Sequence, residues 1–199
     1  MTARRPIRFG VYGRPNVGKS TLVNKLLGEH RMIESPIAGT TVDTVDTDFT
    51  RDGRHYRILD TAGIRRRSKT EKGVEVLSVV QALKSVENVD VSFFLLDGYE
   101  GVTDQDEKIA GELIRAGKPI VIVVNKWDLC RVDRDKYAER LRETMGFLDY
   151  APILFASAKS GDGLEPMCGI IDEILSQRFV SATTGELNRF LELLEGSNI

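Results

Sequence analysis

Gly13-Arg14-Pro15-Asn16-Val17-Gly18-Lys19-Ser20 fits the pattern G-x-x-x-x-G-K-[ST]. The pattern stands between a strand-like run, Ile7 to Tyr12, and a helical stretch, Lys19 to Gly28, whose Leu22, Val23, Leu26 and Leu27 share one face. A strand, a phosphate-wrapping loop and a helix must therefore follow one another. Glycines let the backbone approach phosphate oxygens, successive N–H groups turn inward as a nest, and the helix brings its positive end to the same point. Lys19 is expected to reach the β- and γ-phosphates, and the Ser20 hydroxyl to ligate magnesium, a hard cation suited to oxygen donors. The binding loop is expected to run from Gly13 through Thr21.

The rest of the chain has the rhythm of an α/β domain. Val45, Thr47 and Phe49 alternate with polar residues, and Asp52-Gly53 turns the chain into a second strand, Arg54 to Asp60. Val91 to Leu96, Ile120 to Val124 and Ile153 to Phe155 read as buried parallel strands. Helical stretches fall near Gln105 to Ala116, over Lys136 to Met145, and from Leu164 onward. Strands alternating with helices imply a mostly parallel sheet covered on both faces, with ligands at the carboxyl ends of the strands.

Two further motifs follow strands. Asp60-Thr61-Ala62-Gly63 ends the hairpin: Asp60 is placed to hold magnesium, and the Gly63 N–H can approach a γ-phosphate. Asn125-Lys126-Trp127-Asp128 follows the run Ile120 to Val124. The Asp128 carboxylate can accept from N1–H and the 2-amino group of guanine, whereas adenine would leave that charge unpaired. Asn125 and Lys126 are expected to brace the loop and cover the ring. Ser157-Ala158-Lys159 comes after the last strand, where a main-chain N–H could contact guanine O6. In Ala38-Gly39-Thr40-Thr41, Thr41 is the preferred magnesium ligand and γ-phosphate sensor, lost after hydrolysis. The segment Ile64 to Gly73 is a second candidate switch. Its Arg65-Arg66-Arg67-Ser68-Lys69 is either a solvated basic turn or a nucleotide-gated phosphate or RNA contact.

Composition removes other classes. The 199 residues suit one domain, and 41% hydrophobic with 29% charged residues is globular rather than disordered. A net charge of −2 argues against a whole-surface nucleic-acid footprint. Cys130, Cys168, His30 and His55 lack metal-ligand spacing and read as ordinary thiols and histidines. No run has the roughly 18 apolar residues of a membrane span, and no signal-type apolar segment follows the N-terminus, so the cytoplasm is expected. Near the C-terminus, Thr183 and Glu186 look like a capping box, and Leu187, Phe190, Leu191 and Leu194 form an amphipathic stripe. That helix either docks on this domain or leads to another.

These elements, in this order, resemble the translation-factor-related class of P-loop GTPases. More narrowly they are similar to the second G domain of the Der family, bacterial GTPases with two Era-like domains in tandem. Beside the motifs above, Ile37-Ala38-Gly39-Thr40-Thr41, Ile64-Arg65-Arg66, Lys72-Gly73-Val74-Glu75, Leu129 and Phe147-Leu148-Asp149-Tyr150-Ala151-Pro152 carry the likeness. The resemblance implies a G domain over 1–180, with a six-stranded, mostly parallel sheet, one antiparallel edge strand and helices on both faces. It implies a linker helix over 181–199 toward a KH-like domain, a first G domain elsewhere, and assembly of the large ribosomal subunit through the full-length protein. It further implies GTP and GDP as ligands. A potassium ion beside the phosphates, held partly by Asn16, is the alternative to Asn16 merely bracing its loop. Val42 stands where family members usually carry Arg. Ile64 stands where many GTPases place a water-orienting Gln, so slow hydrolysis is expected, with Lys19, Thr41, Gly63 and Asn16 as the catalytic set. A non-catalytic guanine-nucleotide-sensing module is the competing reading. A P-loop ATPase or nucleoside kinase is a distant third.

Overall fold

Seven strands form one sheet in the computed structural model, which describes residues 5–29, 31–32, 46–61 and 85–177, together with 184–185 and 188–189. They are β1 (Ile7–Tyr12), β2 (Arg31–Met32), β3 (Thr47–Arg51), β4 (Arg54–Ile58), β5 (Val91–Asp97), β6 (Ile120–Asn125) and β7 (Ile153–Phe155), in the spatial order β2-β3-β4-β1-β5-β6-β7. Strands β4, β1, β5, β6 and β7 run parallel, and β3 is antiparallel to β4. The expected six strands are all present. A two-residue pairing of β2 with β3 lies outside them, too short to leave a periodic signal in the sequence.

Between β3 and β4 the chain turns at Asp52 and Gly53, with φ of 50° and 75°. Two successive positive φ values give the primed turn whose twist matches a hairpin, as the Asp-Gly pair predicts. Four helices are described: α1 (Lys19–Glu29), α2 (Asp104–Arg115), α3 (Arg134–Thr144) and α4 (Pro166–Gln177). The tail helix expected from Thr183 to Leu194 lies mostly outside the described residues.

Every residue of β5 is buried. On one face Val91, Phe93 and Leu95 join Phe9 and Val11 of β1 and pack under α1 and α4 through Leu22, Leu26, Met167 and Ile171. On the other face Phe94 and Leu96 join Ile122 and Val124 of β6 and pack under α2 and α3 through Ile109, Leu113 and Leu141. Each fully buried side chain of this size contributes about 1.5–3 kcal/mol, so a central strand with two apolar faces needs helices on both. Cys168 is buried and Cys130 half-buried, the settings expected of ordinary thiols. Among the described residues no helix is long and apolar enough to cross a membrane.

The parallel strands send their following loops to one edge of the sheet. The opposite edge is tied by Asp90, whose carboxylate accepts from Arg8 N at 3.0 Å and from Arg5 Nη2 at 3.1 Å. Burial alone would raise its pKa, but the Arg8 N–H and the guanidinium of Arg5 outweigh that and lower it from 3.8. A depressed carboxyl pKa stabilises the fold above the unfolded value and loses that effect as pH falls through the folded one. Asp90→Asn is therefore expected to cost about 1–2 kcal/mol at pH 7, with the deficit shrinking as pH falls below 3.8. Urea unfolding at pH 7 and pH 3 would check this; a deficit equal at both values counts against it.

Candidate functional site

The loop after β1 is shaped by two close approaches. A Cβ on Gly13 would stand 2.5 Å from the carbonyl oxygen of Leu95 in β5. At Gly18, where φ is 101°, a Cβ would stand 2.3 Å from Asn125 Nδ2. Lys19 folds its ammonium back over the loop, donating to Gly13 O at 2.8 Å and Arg14 O at 2.6 Å. Helix α1 opens on this lysine with no acidic residue in its first turn, whereas α2 carries Asp104, Asp106 and Glu107 there. A cation at the positive end of a helix is unfavourable by itself, so this arrangement suits a bound anion. Pro15 and Asn16 form the loop tip; Asn16 is exposed in the left-handed region at φ 63°, and Thr21 is also exposed. The Val17 side chain is fully buried.

Arg14 points away toward α2. Its Nε donates to Asp106 Oδ2 at 3.1 Å, and Nη1 lies 2.6 Å from Glu100 Oε2. Asp106 is fully buried and also accepts from the N–H and hydroxyl of Thr103, at 3.0 and 2.8 Å. The backbone of Arg14 is thus what it offers to a ligand.

Asn125, the last residue of β6, binds two other loops. Its Nδ2 donates to Val17 O at 2.7 Å, and its Oδ1 accepts from Ala158 N at 2.8 Å. The loops after β1, β6 and β7 thereby meet on one buried amide. Lys126 is left-handed at φ 59°, which costs a non-glycine residue about 1–2 kcal/mol. Its ammonium lies 2.5 Å from Asp97 Oδ2. Trp127 lays its ring against Phe155 and Tyr137, with centroids 4.5 and 5.3 Å apart. Asp128 is exposed in the 3-10 turn Trp127–Leu129. Ser157 and Ala158 are buried and Lys159 is exposed. Behind them Gly163 is required, because a Cβ there would fall 2.1 Å from Phe155 O.

Because β1 and β4 are parallel neighbours, Ser20 and Asp60 follow adjacent strands. Asp60 is left-handed at φ 58°, and its N–H donates to Asp46 Oδ1 at 3.1 Å. Thr61 is buried, its hydroxyl 2.8 Å from that of Thr47. The donor set is a hydroxyl and a carboxylate, both hard oxygens, and no cluster of three or more His, Cys, Asp or Glu suited to a metal exists among the described residues. These residues fit magnesium completed by phosphate oxygens and water rather than a protein-only metal cage. Thr41, Ala62, Gly63 and Ile64 lie outside the described residues, as do Thr40 and the basic run from Arg65.

Sequence reasoning missed Asp97, Glu100 and Asp106. Asp97 had a visible signal, a carboxylate closing a buried strand whose other residues are apolar except Ser92. Asp106 had a weaker one, Thr103 followed three positions later by an acid, as a helix cap. Burial alone would raise the Asp97 pKa, but the Lys126 ammonium and the N–H groups of Glu100 and Tyr99 outweigh it and lower the pKa.

Comparison with known proteins points the same way. A family model described as 50S ribosome-binding GTPase matches residues 8–126. The GTPase Der of Caldanaerobacter subterraneus subsp. tengcongensis is 47% identical over 188 residues, which are 93% of this chain and 43% of that protein. The GTPase Der of Citrifermentans bemidjiense is 49% identical over 185 residues, 92% of this chain and 42% of that one. The chain thus spans less than half the length of these relatives. Among solved structures, Era in complex with MgGDPNP and a segment of 16S ribosomal RNA aligns with a TM-score of 0.62 at 29% identity, over 84% of this chain and 56% of that one. Era of Aquifex aeolicus bound to GDP and aluminium fluoride aligns with a TM-score of 0.59 at 28% identity, over 88% of this chain and 57% of that one.

The Asn125 bridge is directly testable. Asn125→Ala strands a carbonyl and an N–H in the interior, at about 1–3 kcal/mol each. Unfolding in urea without added nucleotide is expected to show a loss of about 2–4 kcal/mol. Unchanged stability would mean the three loops hold together without it.

Proposed function

This chain belongs to the family of 50S ribosome-binding GTPases, and on that premise we propose that it binds guanine nucleotide with magnesium and hydrolyses GTP to GDP and phosphate. Within a longer cytoplasmic protein with a further G domain and a KH-like domain, that cycle would switch contacts during assembly of the large ribosomal subunit. The observation that carries the reading is the Asn125 amide. It joins the phosphate-wrapping loop to the loop bearing Asp128 and to the Ser157-Ala158-Lys159 loop. A small molecule with phosphates at one end and a purine at the other is what such a junction suits.

In this reading Lys19 leaves the carbonyls of Gly13 and Arg14 for the β- and γ-phosphates, joined by N–H groups of the loop from Asn16 to Ser20. Ser20, Thr41 and Asp60 would hold magnesium, which neutralises phosphate charge. Asp128 reads N1–H and the 2-amino group of guanine, the Lys126 stem covers the ring, and Ala158 stands near O6. The Gly63 N–H meets the γ-phosphate. Phosphoryl transfer is then a matter of placement and charge rather than covalent help.

Two features argue for slow unaided turnover. Ile64 can neither donate nor accept a hydrogen bond to the attacking water. Arg14, the arginine nearest the phosphates in sequence, is engaged by Asp106 and Glu100 and is not free to act as a finger. Asn16, exposed at the loop tip, is the residue we assign to a potassium ion supplying part of the missing charge. Ile64 also supports the second reading, a module that senses guanine nucleotide without hydrolysing it.

Phosphate release from GTP by the purified chain separates the two. Turnover is expected in potassium chloride, at least about tenfold above sodium chloride, a small part of the roughly 10³–10⁵ an arginine finger supplies. Lys19→Ala should lower it by about 100-fold or more. Equal rates in the two salts would remove potassium from the mechanism. Tight GDP binding with no Lys19-dependent phosphate release would leave the sensing module.

A further inference from the structure

Asp97 is not part of any nucleotide motif, yet its carboxylate is tied to both the loop after β5 and the loop after β6. It ends β5, directly opposite Asn125 in the register with β6. Its side chain is 1% exposed and its two oxygens have separate duties. Oδ1 accepts from Tyr99 N at 3.0 Å and Glu100 N at 3.1 Å, shaping the turn that carries Glu100 to Arg14. Oδ2 holds the Lys126 ammonium at 2.5 Å. Lys126 is left-handed and only partly exposed, so its stem has one anchored end and a strained backbone.

We propose that Asp97 is a positioning residue for nucleotide recognition, which presets the Lys126 side chain over the purine ring by holding its ammonium from below. A lysine free in solution loses about 2 kcal/mol of rotamer entropy when it is fixed; here that loss is taken on folding and not on binding. Because Lys126 covers the face of the ring and reads none of its edge groups, Asp97 acts on affinity for any purine nucleotide. Choice among purines stays with Asp128. The inference rests on the guanine-nucleotide reading above and adds a residue to it.

Asp97→Asn separates the two duties, since an amide keeps Oδ1 for Tyr99 and Glu100 and loses the charge facing Lys126. The full chain would be titrated with GDP and with IDP, which lacks the 2-amino group. Asp97→Asn is expected to weaken both by the same factor, roughly 10- to 100-fold. Asp128→Ala should instead narrow the difference between GDP and IDP. In a Lys126→Met background, Asp97→Asn should cost less than about twofold, the mark of one shared interaction. Unchanged GDP affinity in Asp97→Asn, or full additivity with Lys126→Met, overturns the proposal while leaving guanine binding intact. Failure of the unsubstituted chain to bind GDP overturns both. An Asp97→Asn chain that does not fold, beside a Lys126→Met chain that does, assigns Asp97 to the core and also overturns it.

Discussion

One buried amide closes the site. Asn125 reaches from the end of β6 across the end of β5 to Val17, and sideways to Ala158 after β7. The crossing runs beside a thin stretch of chain beyond β5, where a Cβ on Gly98 would lie 2.9 Å from the backbone carbonyl oxygen of Asn125 and 3.0 Å from Cys130 Sγ. It also needs Gly18 to be bare where the amide arrives. Two glycines and one asparagine, far apart in sequence, thus form a single fitted unit. Parallel strands bring the loops to one edge, and this unit converts neighbourhood into fixed geometry.

The same edge concentrates backbone strain. Among the described residues, Asn16, Asp52, Asp60 and Lys126 are the non-glycine residues with positive φ, and all but the hairpin residue Asp52 lie in the proposed site. Such conformations persist where surrounding contacts over-determine them. Asp60 is held through its N–H by Asp46, and Lys126 through its ammonium by Asp97. Strain at these three positions, two of them tethered, argues for a cradle formed before a ligand enters.

Much of this was legible in the sequence. Strands β1 and β7 run over Ile7–Tyr12 and Ile153–Phe155, the segments that apolar pattern alone marks. Helix ends fall within about two residues of their periodic stretches, the usual blur of a fraying terminus. The motif residues declare themselves because their chemistry is local: a loop of glycines, a lysine, a hydroxyl. The ion pairs of Arg14 with Asp106 and of Lys126 with Asp97 were not legible, since the partners are distant in the chain and any surface carboxylate fits either charge equally well in one dimension. Likewise the bridging role of Asn125 appears only when strand order is known, because its partners lie on loops separated from it by whole strands.

Trp127 is the only tryptophan in the chain, and it sits between Lys126 and Asp128 with its indole against Phe155 and Tyr137. The loop after β6 therefore carries its own optical label. Excited beyond the absorption band of the five tyrosines, emission from this chain comes from one known place, without a dye or an engineered probe, and its colour and quenching follow how that loop packs. Any event that loosens the indole from its aromatic bed becomes visible in real time.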